Sequence, residues 1–218
     1  EDGVEVVIVE AGAVIPADAD VILIPGSKAT LSDLAALRAE GWDIDILAHH
    51  RRGGVVVGLC GGYQMLGRTV ADPDGVEGAA AAATATATVP GLGLLEVDTV
   101  IGAAKTLRPA AGRDTIFDQA ITGYEMHMGE TTGAGLARPW LTLADGPDGA
   151  VSACGRVMGA YVHGLFAADD FRAAFLSALR AGDYAAASHA ARVEETLDAL
   201  AEHLEAHLDM DGLDAAFA

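Results

Sequence analysis

The sequence is poor in the residues that several classes of function require. It has 13 basic residues against 32 acidic ones, which gives a formal charge of −19. Nucleic-acid binding needs a basic face to neutralise phosphates, and the sequence has none. Aromatic residues make up only 5% of the chain, so aromatic binding platforms are scarce as well. We therefore predict no nucleic-acid partner.

Long apolar spans are also missing. The longest uncharged stretch, 78–95, begins with low-complexity alanine–threonine sequence expected to lead into a strand, and it contains Pro90 and two nearby glycines, which makes it a poor membrane span. The first residues, EDGVEVVIVEAG, lack a basic start, an apolar signal core and a methionine. We expect a cytoplasmic piece of a longer chain, with no membrane partner.

Only two cysteines are present, Cys60 and Cys154. In a reducing compartment they are expected to be free thiols. His203 and His207 lie one turn apart on a predicted helix, but two glutamates stand beside them and no third ligand is near. We assign this histidine pair to a solvated polar face and predict no metal site.

Alternating strand-like and helical segments predict an α/β fold. The apolar runs 4–10, 21–25 and 55–59 enclose helical segments near 30–39 and 44–51, as in a parallel sheet covered on both faces. From about 92 to 158, shorter strand-like pieces suggest antiparallel additions. A final helix with apolar positions 193, 197, 200, 204 and 208 is predicted to pack on the domain. We predict a single domain, 1–218, with a mostly parallel central sheet flanked by helices.

The stretch 58–67, GLCGGYQMLG, surrounds one thiol with glycines directly after an apolar strand. Small residues two before and two after Cys60 are typical of a nucleophile elbow, a sharp turn between a strand and a helix where flanking side chains would collide. The helix N-terminus should lower the pKa of the Cys60 thiol towards neutrality. Cys154, in SACGRV, is expected to sit in an ordinary strand and to alkylate much more slowly.

A thiolate nucleophile needs a base and an oxyanion site. His163, after the β-prone run in AYVHGLF, is the candidate base, with a purely structural histidine as the alternative. The stretch LIPGSKAT ends a strand and enters a helix, so backbone N–H groups near Gly26 and Ser27 could meet an oxyanion together with that of Gly61.

The motifs PGSKAT, GLCGGYQMLG, GLGLLEVDT, GYEMHMGET and GAYVHGLF, in this order, resemble the glutamine amidotransferase half of cobyric acid synthase, over practically the whole chain. The resemblance implies a class I amidotransferase-like, flavodoxin-like three-layer fold. Cys60 would form a γ-glutamyl thioester and His163 would act as base and acid. Gly26 and Gly61 would donate to the oxyanion, and Gln64 and Tyr124 would contact the glutamine substrate; by spacing alone, Gln64 could equally face solvent.

Two departures qualify what the resemblance implies. Many class I amidotransferases have a glutamate two residues after the histidine, where this chain has Leu165. That fits a Cys–His dyad and leaves open what orients the ring. The chain also lacks a G-x-x-x-x-G-K-[ST] phosphate loop. No cofactor is therefore expected here. The resemblance implies that ATP and Mg²⁺ act in a synthetase domain, in cis or in trans, which would amidate carboxylates of a corrinoid, cobyrinic acid a,c-diamide.

Two other functions fit parts of the pattern. The amidotransferase subunit of a Mur ligase-like, lipid II-amidating complex also carries CGGYQ, although GYEMHMGET argues against it. A catalytically silent binding module could keep the elbow as architecture alone. Trapping of Cys60 by a glutamine-analogue electrophile would distinguish an enzyme from such a module.

Overall fold

A computed structural model describes residues 1, 3–77, 88–180, 184 and 188–217. Its helices are α1 (Thr30–Ala39), α2 (Trp42–Arg51), α3 (Gly61–Leu66), α4 (Asp169–Leu179), α5 (His189–His207) and α6 (Met210–Phe217). Its strands are β1 (Val21–Ile24), β2 (Val55–Leu59), β3 (Thr69–Ala71), β4 (Val89–Pro90), β5 (Asp98–Asp114), β6 (Ala120–Thr132), β7 (Leu141–Leu143), β8 (Gly146–Asp148), β9 (Ala150–Val151), β10 (Val157–Ala160) and β11 (Val162–His163).

The first sheet has the order β1-β2-β10-β9. Its first three strands run parallel, and β9 joins β10 antiparallel. Side chains alternate between its faces: Val56 and Val157 lie in the core beneath α1 to α3, whereas Val57 and Met158 lie in the core that contains Phe171 and Phe175 of α4. Helices thus cover both faces of this sheet, as the sequence predicted.

The second sheet is built around the long hairpin of β5 and β6, in the order β11-β6-β5-β3-β4, with β7 and β8 attached to β5. Its pairs are antiparallel except for β3 with β5. The predicted antiparallel additions are therefore confirmed. Because β10 and β11 follow each other directly in the chain, the loop between them links the two sheets.

Two sequence predictions about packing are wrong. The run 4–10 forms no strand, and most of its apolar side chains are exposed, because β propensity forms a strand only where a neighbouring strand accepts the hydrogen bonds. The last helix forms as predicted in α5, but none of its side chains is buried. An amphipathic pattern predicts an apolar face without specifying what covers it.

The remaining expectations fall partly outside the described residues. The alanine–threonine stretch lies at 78–87 and is not described, apart from the short strand β4 that follows it. His203 and His207 are exposed on α5, with their rings stacked at 4.3 Å. Within the described ranges, no cluster of three metal-ligating side chains occurs, and no helix has the length and hydrophobicity to cross a membrane.

Candidate active site

Cys60 occupies a strained turn between β2 and α3. Its backbone angles are φ 52° and ψ −111°, a conformation that L-residues other than glycine rarely adopt. Such a residue costs about 1–3 kcal/mol and persists only where its surroundings enforce it. The Cys60 N–H donates to the Ala160 carbonyl at 2.9 Å, which continues the pairing of β2 with β10 past the strand end. The turn is therefore held by the centre of the parallel sheet.

The glycines around Cys60 are required by backbone contacts. A Cβ at Gly58 would lie 2.7 Å from the carbonyl of Gly62, across the turn. A Cβ at Gly62 would overlap the carbonyl oxygen of Ile24, and one at Gly61 would lie 2.8 Å from the Ser27 nitrogen. Real Cβ atoms essentially never show such distances. The collision across the turn that the sequence predicted is confirmed at Gly58, whereas Gly61 and Gly62 are required by the end of β1 and the segment that follows it.

One carbonyl joins Cys60 to His163. The Met126 oxygen, on β6, lies 3.1 Å from the Cys60 Sγ and 3.4 Å from the His163 Nε2. The thiol donates to this oxygen in the resting arrangement. His163 reaches it because β11 pairs antiparallel with β6, in a register that sets His163 opposite Tyr124. The structure thus brings together two side chains about a hundred positions apart.

The His163 ring is enclosed from several sides. Tyr124 stacks on it with 5.0 Å between ring centroids and 7° between planes. A Cβ at Gly26 would lie 2.9 Å from the His163 Cε1, so the backbone of Gly26 approaches the ring edge. Leu165, two residues after His163, is fully buried. Tyr124, the Met126 carbonyl and the backbone of Gly26 hold the ring without a carboxylate.

The two segments predicted to supply oxyanion donors also meet at Cys60. The same hypothetical Cβ at Gly26 would lie 3.5 Å from the Cys60 Cβ, and Gly61 packs against the backbone of Ser27. The Gly62 N–H donates to the Pro25 carbonyl at 3.1 Å, which fastens the start of α3 to the end of β1. The backbones of Gly26 and Gly61 therefore flank the sulfur.

Gln64 is buried, and its side-chain amide is already fully engaged. Its Oε1 accepts from the Thr30 hydroxyl at 3.0 Å, and its Nε2 donates to the Met128 carbonyl at 3.1 Å and the Tyr161 hydroxyl at 3.3 Å. The solvent-facing alternative is wrong. Its predicted contact with glutamine stays a prediction, as does that of Tyr124, whose ring is 45% exposed beside His163.

The electrostatics of the thiol differ from the sequence prediction. Burial raises the pKa of the Cys60 thiol, the Gly61 N–H opposes that rise, and the charges of Asp148 and Glu77 add to it. The expectation of a lowered pKa was wrong because Cys60 is buried, and its desolvation outweighs the effect of the Gly61 N–H at the start of α3. A proton acceptor is therefore needed to generate the thiolate.

A polar network that sequence reasoning missed lies behind the site. Asp148 accepts from the Tyr161 N–H at 2.9 Å, and burial raises its pKa to about 6. Glu125, also buried, pairs with Arg108 at 2.5 Å and lies 3.4 Å from His127. The only sequence signal was that Glu125 and His127 belong to GYEMHMG; nothing marked Asp148.

Cys154 occupies a different environment. It lies in the turn between β9 and β10 and is exposed, so the prediction of an ordinary strand was wrong. Desolvation has the largest single effect and raises the pKa of the thiol, but hydrogen bonds from the Ser152 hydroxyl, 3.2 Å from the Sγ, and from backbone N–H groups, with the charge of Arg156, together lower that pKa. A glycine at 155 with φ 72° favours a tight turn here rather than extended strand.

Sequence comparisons identify related proteins. The profile of the CobB/CobQ-like glutamine amidotransferase domain matches residues 1–171. Cobyric acid synthase of Bradyrhizobium diazoefficiens is 54% identical over 98% of this chain, and that of Methylorubrum populi is 56% identical over 98%. The chain spans only 43% and 42% of the length of these two relatives.

Structural comparisons agree on the fold. A glutamine amidotransferase structure aligns with a TM-score of 0.50 at 15% identity, covering 73% of this chain and 78% of that one. PurLQS from Thermotoga maritima aligns with a TM-score of 0.52 at 14% identity, covering 75% of this chain and 81% of the other. The class I amidotransferase-like fold expected from the sequence is confirmed.

Proposed function

Since the chain belongs to the CobB/CobQ-like glutamine amidotransferase domain family, we propose that it hydrolyses glutamine and supplies the ammonia to a cobyric acid synthase reaction. Cys60 is the nucleophile and His163 the general base and acid. The single observation that carries this assignment is the Met126 carbonyl, which holds the Cys60 thiol and the His163 ring on one oxygen atom.

The first half of the reaction forms a thioester. His163 takes the thiol proton, and the sulfur attacks the side-chain amide carbon of glutamine. The tetrahedral intermediate collapses as His163 returns the proton to the leaving nitrogen, which departs as ammonia. Because burial raises the pKa of Cys60, His163 generates the thiolate during attack rather than finding it preformed.

The second half releases glutamate. Water attacks the γ-glutamyl thioester while His163 accepts its proton, and the sulfur leaves as thiolate to be reprotonated. In both halves the negative charge gathers on the former amide oxygen. The N–H groups of Gly26 and Gly61, whose backbones flank the sulfur, are the proposed donors to that oxygen.

The remaining site residues divide into two roles. Tyr124, stacked on His163 and half exposed, is proposed to orient the ring on one face and to contact glutamine with its free edge. Gln64 is proposed to reach the substrate only after giving up one of its present hydrogen bonds. Both roles follow the family resemblance.

The use of the ammonia is proposed to lie outside this chain. In proteins of the relatives' length, a synthetase domain in cis would activate side-chain carboxylates of cobyrinic acid a,c-diamide with ATP and Mg²⁺. Support comes from the 54–56% identity to cobyric acid synthases more than twice as long as this chain. The same length difference favours this role over a separate lipid II-amidating subunit.

The test separates production of ammonia from its use. In the full-length enzyme, Cys60→Ala and His163→Ala should abolish glutamine-dependent amidation and leave amidation by added ammonium salts largely intact. The loss for His163→Ala should exceed the roughly 10²–10³-fold effect of removing one oxyanion donor, because both proton transfers fail. Product formation is measured with glutamine and with ammonium in parallel.

Cys154→Ala is the matched control, since it removes the other thiol without touching the site. Equal loss of both activities in a folded Cys60→Ala protein would contradict the division of labour. A glutamine-analogue electrophile that fails to label Cys60 in the active full-length enzyme would instead indicate a silent module.

A further inference from the structure

Helix α5 carries an apolar stripe that nothing in the described parts of the chain buries. The stripe consists of Val193, Leu197, Leu200 and Leu204, which share one side of the helix at 100° per residue, and Leu208 follows directly after the helix end. Each of these side chains is 41–51% exposed. Four large apolar residues in line along a 19-residue helix, with a fifth at its end, indicate a surface that packs on another part of a protein.

The first residue of the chain lies beside the N-terminal end of this helix. The Glu1 carboxylate pairs with the Arg172 Nε of α4 at 2.6 Å, and its side chain is 9% exposed. A cavity of about 220 Å³ is lined by Glu1 and Arg172 together with His189 and Arg192 of the first turn of α5. Polypeptide that precedes Glu1 in a longer protein must therefore enter the fold beside α5.

The relatives do have such polypeptide. This chain aligns with the C-terminal part of cobyric acid synthases and spans 43% of the Bradyrhizobium protein. The residues just after Glu1 are apolar and unpartnered as well: Val6, Val7 and Ile8 are between 56% and 83% exposed. The chain therefore has uncovered apolar side chains both in α5 and in the segment that directly follows the point where upstream chain would join.

The charges beside the stripe disfavour an antiparallel second copy of α5 as the occupant. Glu194, Asp198 and Glu205 all lie along the same edge of the stripe, whereas His203 and His207 lie along the other. An antiparallel pair of such helices would place the acidic edges against each other, and like charges repel. A net charge of −19 adds to this repulsion.

We propose that the apolar stripe of α5 is the docking surface for the synthetase domain that precedes this chain in a full-length protein. The surface that covers it is apolar and has Lys or Arg side chains along the edge that meets Glu194, Asp198 and Glu205. The proposal rests on the proposed function for the identity of the upstream domain. It makes α5 the element that fixes the amidotransferase site relative to the synthetase.

The experiment maps what lies on the stripe in the full-length protein. Leu204→Cys is introduced in a Cys154→Ser background, modified with a benzophenone maleimide, irradiated and analysed by peptide mass spectrometry. We expect the cross-linked peptide to come from sequence upstream of Glu1. Ala206→Cys, on the opposite side of the same helix, is the matched control and should give no cross-link to that peptide.

Labelling rates supply a second readout. In the native full-length protein, Leu204→Cys should react with N-ethylmaleimide about tenfold more slowly than Ala206→Cys, since labelling requires local opening of the interface. The two should react equally in urea. Leu197→Cys replaces Leu204→Cys if the latter fails to fold.

Three results would overturn the proposal. They are equal native labelling of the two positions, a cross-link within this domain, and a cross-link to a second copy, recognised by mixing isotopically light and heavy protein. None of these readouts requires glutamine hydrolysis. An inactive Cys60 with an intact upstream cross-link would therefore disprove the proposed chemistry and leave the docking surface standing.

Discussion

The two cysteines lie at opposite ends of the same parallel sheet, and their surroundings differ in almost every respect. Cys60 follows the carboxyl end of β2, where the chain is forced into a positive φ and the thiol is enclosed. Cys154 lies in the turn that leads into the amino end of β10, neighbour of β2 in the sheet, and is exposed. A sulfur becomes a candidate nucleophile through the fixed geometry around it rather than through its ionisation alone.

The thiol that ionises more readily is that of Cys154. Burial raises the pKa of Cys60, whereas for Cys154 the hydrogen bonds from Ser152 and from backbone N–H groups, together with the charge of Arg156, outweigh desolvation and lower the pKa. Only Cys60 has a histidine, a shared carbonyl and two backbone segments arranged around it. The contrast predicts specific differences between the two ends of the sheet.

The largest difference in activity should come from a glycine-to-alanine substitution at each of the two ends of the parallel sheet. Gly62→Ala places a Cβ on the Ile24 carbonyl oxygen and displaces the elbow, and Gly62→Val does so more severely. Because a displacement of 1 Å costs about 10²-fold in rate, glutamine-dependent activity should fall at least that far. Activity is measured as glutamate release in the full-length enzyme, alongside thermal unfolding.

Gly155→Ala is the control at the other end. Its φ is 72°, but nothing lies within 4 Å of an added Cβ. It should cost about 1 kcal/mol of stability through backbone strain and leave the rate per folded molecule unchanged. A folded Gly62→Ala protein with full activity would refute the steric account of the elbow.

The next difference concerns pH. Asp148 lies at the elbow end, and its pKa in the folded state is raised to about 6 by burial. The folded protein favours the protonated carboxyl of Asp148. Its contribution to the stability of the fold is therefore complete below the ordinary pKa of an aspartate and is lost as pH rises through about 6. Relative to Asp148→Asn, the native protein should lose about 2 kcal/mol between pH 4 and pH 7.

Urea unfolding at several pH values measures this difference in the free energy of unfolding. The difference in unfolding free energy between the native protein and Asp169→Asn should depend on pH in the opposite direction. The His189 N–H and Arg172 lower the pKa of Asp169, so the ionised carboxylate stabilises the fold above its ordinary pKa, and this stabilisation is lost as pH falls. If the unfolding free energies of the native protein and Asp148→Asn differ by the same amount at every pH, burial does not raise the pKa of Asp148 as we infer.

Alkylation should favour Cys154, reversing the order expected from the sequence. With iodoacetamide at pH 7, Cys154 should react about tenfold or more faster than Cys60, because it is exposed and ionises more readily. A glutamine-analogue electrophile should invert this preference, since only Cys60 has a substrate site around it. Peptide mass spectrometry of both reactions gives the two rate ratios, and the same order with both reagents would count against the assignment.

The smallest expected effect is at Ser152. Its hydroxyl lies 3.2 Å from the Cys154 Sγ and lowers the pKa of that thiol. Ser152→Ala should therefore slow alkylation of Cys154 by about threefold at pH 7, through a smaller thiolate fraction. The rate for Cys60 serves as the internal control and should not change. An unaltered Cys154 rate would assign its reactivity to exposure alone.

Much of the fold and the site was predictable because the signals are local. The alternation of apolar strands and helices gave the parallel sheet, and the glycines at 58 and 62 indicated the elbow, since a Cβ at Gly58 would meet Gly62 within the same turn. The collisions of Gly61 with Ser27 and of Gly62 with Ile24 were not predictable, because they involve a segment that is distant in the chain. His163 was found as a motif residue. Its stacking on Tyr124 was not, because the register between β6 and β11 has no short-range signature.

The sequence by itself determined most of the strands and helices and the tight turn at Cys60, and therefore where a reactive thiol could be placed. It gave the wrong structure for the run 4–10 and for the turn at Cys154. Only the tertiary structure decided that Cys60 is buried, so that the pKa of its thiol is raised, and that the Met126 carbonyl lies between this thiol and the His163 ring. It also decided that the apolar stripe of α5 is left uncovered. The physical reason is the distance along the chain between the interacting residues. Backbone conformation follows from neighbours in the chain, whereas desolvation, charge and burial depend on atoms that only folding brings close.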